Sequence, residues 1–280
     1  MNTSKQVQHG IFAALGLVVL GGFFIAQRAG TYVLRQDVAE ARIALISQTA
    51  SLANADASNL VAHYRFDDGS GTTAADASAT SNSASLGGGV SFVTNSPKIG
   101  TGAVQFSGSG HITIPSSSSY NFGTGDFTVA FWVKTPGLPP NENNNNVEGY
   151  FALGGVSGIT MYVKAGELRE YVGGTQLIDY ADVTDDGWHH VVLTRSSGTV
   201  TGYIDSAAHP LGTAAGDVSS AGTVILLGST YDGSYPAIGR MDDVRVYNRA
   251  LTSGEVSELY NLGGGDLTPP TVSVPALMVR

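Results

Sequence analysis

The chain has 280 residues, 37 of them glycine and none cysteine, and carries 23 acidic against 14 basic side chains for a formal net charge of −9. Without thiols it can build neither a disulfide scaffold nor a Cys-ligated zinc or iron–sulfur centre. So few Lys and Arg residues leave no means of neutralising a row of phosphates, which excludes a nucleic-acid partner. The charge is also unevenly placed. Residues 1–55 hold four basic and two acidic side chains, leaving ten basic and 21 acidic groups to the rest, so a slightly basic N-terminal segment precedes a strongly acidic head.

No Lys, Arg, Asp or Glu lies between Lys5 and Arg28, and residues 11–26 read IFAALGLVVLGGFFIA. That run sits at the lower edge of the roughly 17–25 residues with which a helix crosses a bilayer, and basic residues flank it on both sides. A cleaved secretory signal is the alternative, but Phe24 and Gln27 occupy the −3 positions before Ala26 and Ala29, where small residues are needed. Beyond it Leu34, Val38, Ala41, Leu45 and Leu52 recur near helical spacing. The pattern predicts one long N-terminal α-helix: a transmembrane anchor or leader over 1–28, then an amphipathic stalk and hinge over 29–57, with the small polar ANADASN run starting at Ala53 as the hinge. A short leader ending at Gly10, then an apolar helix running into an amphipathic one, resembles the layout of type IV pilins and pseudopilins. That resemblance implies cleavage after Gly10 and a homo-oligomer or filament packed through this helix. The family's Phe-Thr-Leu-x-Glu start reads Ile11-Phe12-Ala13-Ala14-Leu15 here, so Leu15 stands where the glutamate belongs.

After Leu60 the pattern changes to short β-branched and aromatic runs, among them VAHYRF, AVQFS, HITI, FTVAFWVK, ITMYVK, LREYV, HHVVLTR, TVILLG and MDDVRVY. Asp68-Gly69, Ser109-Gly110, Asp186-Gly187 and Ser197-Gly198 separate them as turns. Several alternate apolar and polar with period two, so each buries one face, and the number of such runs calls for two packed antiparallel sheets over 58–263. One short helix is predicted over 252–262, with Thr252 as N-cap and Glu255 completing a capping box.

The segments HYRFDDGSGTTAADAS, GTGAVQFSGSGHITIP, GDFTVAFWVK, DDGWHHVVLTRSSGTVTGYIDS and IGRMDDVRVYNRALTSGEVSELYN, in that order, resemble laminin G-like, concanavalin A-like jelly-roll domains of bacterial surfaces. The resemblance implies a mainly β, concanavalin A-like jelly-roll sandwich of two antiparallel sheets and a non-enzymatic role in binding a glycan or surface protein. With the N-terminal helix, it places the head at the cell surface on a membrane anchor, or on an extracellular filament. It also implies a possible structural Ca2+, with Asp76 near the first strand brought to Asp242 or Asp243 near the last.

Trp132 and Trp188 fall in strand-like segments and are expected between the sheets. Tyrosines in loops make better sugar platforms, because the ring stacks on C–H faces while the hydroxyl keeps a polar partner. The candidates are Tyr150, Tyr171, Tyr180, Tyr231 and Tyr235, and the Tyr231-Asp232-Gly233-Ser234-Tyr235 loop, with two rings and a carboxylate, is the most site-like. His189 and His190 are adjacent, so a strand points them to opposite faces and they cannot share a metal.

Retaining glucanases of this fold place their two acids on one strand face as Glu-x-Asp-x-x-Glu, and no such run occurs. Glu167 and Glu170, three apart, fall on opposite faces, and Glu255 and Glu258 belong to the helix. Nucleophile elbows, phosphate-binding glycine loops and His-Glu-x-x-His are also absent. The polar LPPNENNNN run from Leu138 reads as a surface loop, and residues 264–280 read as a linker-like tail.

Overall fold

The computed structural model divides the chain into two compact units, Met1–Ala53 and Asn54–Arg280, and describes residues 17–20, 23–28, 31–34, 59–136, 147–179, 181–219 and 224–264. In the first unit, strands β1 (Leu17–Leu20), β2 (Phe23–Arg28) and β3 (Thr31–Leu34) pair antiparallel in that order. Over these segments strands replace the continuous helix expected from Ile11, while residues 1–16 and 35–57, which carry the leader, the start of the apolar run and the stalk of that expectation, lie outside the described residues. The registers explain the difference. Leu20 pairs with Phe23 and Arg28 with Thr31, leaving only Gly21-Gly22 and Ala29-Gly30 between partners. Two-residue glycine connections between runs such as Leu-Val-Val-Leu and Thr-Tyr-Val-Leu are hairpin signals, which the apolar length of the segment obscured. Among the described residues no helix is long and apolar enough to cross a membrane. The predicted hinge, the 137–146 part of the polar loop and the tail from 265 lie outside the described residues.

The second unit is a sandwich of two eight-stranded antiparallel sheets. In chain order its strands are β4 (Leu60–Tyr64), β5 (Thr73–Ala74), β6 (Ala84–Leu86), β7 (Val90–Val93), β8 (Ala103–Ser107), β9 (Ile112–Ile114) and β10 (Phe127–Lys134). Then follow β11 (Val147–Leu153), β12 (Ile159–Lys164), β13 (Glu167–Val172), β14 (Thr175–Asp179), β15 (His189–Ser196), β16 (Thr199–Ile204), β17 (Ala207–Thr213), β18 (Ile225–Leu227) and β19 (Ile238–Tyr247). The first sheet runs β17-β16-β15-β10-β19-β8-β7, with β4 also paired to β19, and the second runs β14-β13-β12-β11-β18-β9-β6-β5. First and last strands are therefore neighbours, as the resemblance implied: Val244 pairs with Tyr64 and Val246 with Ala62.

Alternation decides which side chains enter the core. Phe127, Val129, Phe131 and Val133 of β10 join Val191 and Leu193 of β15 and face Phe151, Leu153, Ile159, Met161 and Val163 of the other sheet, all buried in one apolar cluster. The opposite faces of β10 and β15 carry Trp132 and His190, which are register partners. Trp132 thus does not fill the intersheet space as expected. It lies on the outer face, its ring centroid 4.9 Å from that of His190 and 5.5 Å from that of Tyr260. Tyr260 belongs to helix α1 (Ser253–Leu262), whose Thr252 N-cap and Glu255 form the predicted capping box. Trp188 is half-buried and precedes β15 rather than lying in it.

Candidate functional site

The outer face of the second sheet is built by the same alternation. In β12, Ile159, Met161 and Val163 are buried and Tyr162 and Lys164 are turned outward, while in β13 Leu168, Glu170 and Val172 are buried and Glu167, Arg169 and Tyr171 point outward. Thr160 pairs with Tyr171 and Tyr162 with Arg169, so the two tyrosines are diagonal neighbours. Their rings lie 6.1 Å apart with planes only 13° from parallel. Gln176 of β14 donates from its side-chain amide to the Tyr162 hydroxyl at 3.1 Å, and burial raises the Tyr162 phenol above its ordinary value, so it stays neutral.

The connection from β18 to β19 forms a rim over this floor. Thr230 N–H donates to Ser234 O and Gly233 N–H to Thr230 O, each at 2.9 Å. The Asp232 Oδ1 atom accepts Ser234 N–H at 3.0 Å and the Thr230 hydroxyl at 2.9 Å, and these bonds hold its carboxyl below the usual range. The turn leaves Tyr231 44% and Tyr235 46% exposed, the most exposed aromatic side chains of the described residues. Gly149 of β11 permits the close approach of this rim, since a Cβ there would lie 2.1 Å from the Ser229 carbonyl carbon. Floor and rim enclose a cleft of about 420 Å³ lined by Tyr162, Tyr171, Tyr231, Tyr235, Asp232 and Lys164, with Val147, Thr160 and Thr230 between them.

The structure therefore brings together Tyr231, Asp232, Tyr235 and Tyr171 from the sequence reading. Tyr150 is a correction: it is 1% exposed, its ring set edge-on 6.3 Å from Phe131, because β11 turns it into the core. Tyr180 lies outside the described residues. Tyr162, Thr160 and Lys164 were missed, although the alternation of ITMYVK places all three on one face.

Asp76, Asp242 and Asp243 do not form a cation site together, and among the described residues no cluster of three or more His, Asp or Glu side chains could hold a metal ion. Asp76 Oδ1 accepts the backbone N–H groups of His63 and Ser78 at 2.9 Å each, and Oδ2 accepts the Ser78 and Thr80 hydroxyls at 2.9 and 2.7 Å and Asn82 N–H at 2.8 Å. Burial acts to raise the Asp76 pKa, but these donors outweigh it and hold the carboxyl low. Asp242 accepts the N–H groups of Lys98, Ile99 and Asp243 at 2.8–2.9 Å, yet burial still pushes it up to about 7. Asp243 meets His63 Nε2 at 2.7 Å and Arg245 Nε at 3.0 Å, and these partners overcome burial to hold it at about 2. All three carboxylates are already engaged by protein donors, and Asp243 also by the Arg245 guanidinium, which occupies lone pairs that Ca2+ would need.

Of the acids weighed in the sequence, Glu167 points outward and Glu170 is buried, as their spacing predicts, and Glu255 is engaged in its capping box. A protein-family model, the concanavalin A-like lectin/glucanases superfamily in its laminin G form, matches residues 106–257, more than half of the chain. The chain belongs to this superfamily. The laminin G-like head is 26% identical over 149 residues to adhesion G-protein coupled receptor V1 of Danio rerio, covering 49% of this chain and only 2% of the receptor. Among solved structures it is similar to domain 4 of AbnA, a GH43 extracellular arabinanase from Geobacillus stearothermophilus, in complex with arabinotriose, at 20% identity and a TM-score of 0.56, covering 72% of this chain and 98% of that one. It is also similar to the receptor binding domain of botulinum neurotoxin type G, at 18% identity and a TM-score of 0.54, covering 73% and 51%. At these identities the structural likenesses establish the fold.

Proposed function

We propose that the laminin G-like head is a non-catalytic carbohydrate-binding domain working outside the cell, with the four-tyrosine cleft as its binding site. The observation that carries this reading is the convergence of Tyr162, Tyr171, Tyr231 and Tyr235 on one cleft with the Asp232 carboxylate and the Lys164 ammonium. Tyrosine faces stack on the C–H surfaces of pyranose or furanose rings, while Asp232 Oδ2 accepts sugar hydroxyls and Lys164 donates to ring and hydroxyl oxygens. Asp232 Oδ1 is engaged by its own turn, which pre-orients the carboxylate at little entropic cost. The arabinotriose complex of the arabinanase domain adds support for an oligosaccharide ligand.

The test is a glycan array probed with the full chain and with the Tyr231→Ala/Tyr235→Ala double variant. Selective binding by the parent chain that the double variant loses, while its circular dichroism spectrum is unchanged, is the expected result. Binding that survives the double substitution would remove the cleft from the ligand site, and no binding to any glycan would overturn the reading.

A further inference from the structure

We infer that Glu148 is a positioning residue: its buried carboxylate latches the tyrosine-bearing rim of the cleft to strand β11, and its loss of charge loosens that rim. The inference rests on the carbohydrate-binding reading for its consequence, but its geometry stands by itself. Three successive residues of β11 hold both ends of the connection between β18 and β19. Gly228 N–H donates to Tyr150 O at 2.9 Å, Gly149 N–H donates to Tyr235 O at 2.9 Å, and Ile238 N–H donates to Glu148 Oε2 at 3.3 Å. Two of these ties are backbone to backbone and indifferent to pH. The third, immediately after the segment bearing Tyr231, Asp232 and Tyr235, ends on a titratable side chain that is 4% exposed.

Among the described residues the surroundings of Glu148 supply little else. The Thr135 hydroxyl, just beyond β10, donates to the same Oε2 at 3.5 Å. The buried Tyr150 hydroxyl on its own strand feels its charge, and Asp182 acts on the same tyrosine. Lys134, Asp186 and Arg240 line a separate shallow cavity beside Ile238. Burial, opposed only by the Ile238 and Thr135 bonds, pushes Glu148 up to about 7. The ionised form makes the stronger, charge-assisted bond to Ile238 N–H, and protonation reduces it to a neutral one. The rim then keeps two ties to β11 instead of three, with Gly108 N–H still donating to Ala237 O at 3.0 Å beside β8, and ordering it again on binding weakens affinity.

The experiment uses the full chain, with Glu148→Gln as the variant that keeps shape and one acceptor but cannot ionise. His111, whose imidazole lies 3.3 Å from where a Gly233 Cβ would stand, is an imidazole set directly against the rim, so His111→Gln is the control. The first readout needs no ligand: the Ile238 amide proton resonance should move with pH around a midpoint near 7 in the parent chain and in His111→Gln, and stay fixed in Glu148→Gln. The second is calorimetric titration with arabinotriose, whose affinity should be about fivefold weaker at pH 5.5 than at pH 8 in the parent chain and equal at both in Glu148→Gln. A parent-like pH response in Glu148→Gln, or an Ile238 resonance that does not titrate, overturns the latch. Absence of arabinotriose binding at either pH counts against that sugar at the cleft, and the Ile238 resonance still decides the latch.

Discussion

Tyr162 and Tyr171, nine positions apart in sequence and diagonal across the β12–β13 ladder, lie with their ring planes nearly parallel, 6.1 Å apart, and form the floor of the cleft. Both are half-buried on a sheet face, so under the proposed carbohydrate-binding role removing either ring takes away ligand contact without opening the core. Tyr162→Ala and Tyr171→Ala are each expected to weaken oligosaccharide binding by roughly fivefold to tenfold, from the loss of about 1–1.5 kcal/mol of stacking, with the melting temperature nearly unchanged. Calorimetric titration beside a thermal melt checks both halves of this expectation.

Trp132, His190 and Tyr260 form a cluster of three rings in mutual contact, with the Lys98 ammonium 4.2 Å from the Trp132 ring centroid, and so fasten α1 to the sheet. Trp132→Ala should cost about 3–5 kcal/mol, in the range of large core truncations. Tyr260→Ala should cost less and increase amide exchange in α1 ahead of the strands. If α1 exchanges at the parent rate in Tyr260→Ala, the stack does not anchor the helix.

Glu170 is fully buried on β13, and burial together with the nearby Asp179 charge pushes it from 4.5 up to about 8. A carboxyl with a raised folded-state value keeps its proton in the folded chain while the unfolded chain has released it. Stability should therefore fall as pH rises from near 4.5 to near 8 and level off above that. Glu148 and Asp242, both up to about 7, add to the decline. His189 acts in the same direction: its hydrogen bond to Asp205, helped by Asp185 against burial, raises it from 6.5 to about 9, so its stabilising charge is lost toward alkaline pH. Glu170→Gln should raise the melting temperature at pH 9 by at least about 3 °C and leave it nearly unchanged at pH 4.5. An identical shift at both pH values would show that Glu170 does not titrate in this interval.

The Asp76 carboxylate gathers backbone N–H groups of His63, Ser78 and Asn82, and Asp76→Ala orphans them in a buried place. The expected cost is about 3 kcal/mol by denaturant unfolding, the same in Ca2+ and in chelator. A cost confined to the Ca2+ condition would instead make Asp76 a cation ligand.

The sandwich was legible because it rests on period-two alternation and on ordered motifs that local chemistry enforces. FTVAFWVK and MDDVRVY became β10 and β19, and the Thr252–Glu255 box began the helix where it was expected. The rim tyrosines were legible as well, since a glycine-containing turn bearing two rings and an acid has no place in a strand. What alternation could not tell was which of two covered faces a residue occupies. Trp132 is buried either way, and only α1 packing on the outer face distinguishes the alternatives. Tyr150 misled for the related reason that β11 is covered on both faces around it. Asp76 looked like a ligand because the demand of nearby N–H groups for an acceptor is invisible until the turn is closed. In the N-terminal unit, apolar length outweighed the Gly21-Gly22 and Ala29-Gly30 signals.

The pairing of β4 with β19 has a mechanical meaning. Asn248 N–H donates to Asn59 O at 3.0 Å, and Leu60 pairs with Tyr247, so the start of one strand and the end of the other meet at the same end of their ladder. Tension pulling Asn59 away from Asn248 would load that end first and part the rungs one after another, as a zipper opens, whereas strands loaded at opposite ends resist by shearing all their rungs together.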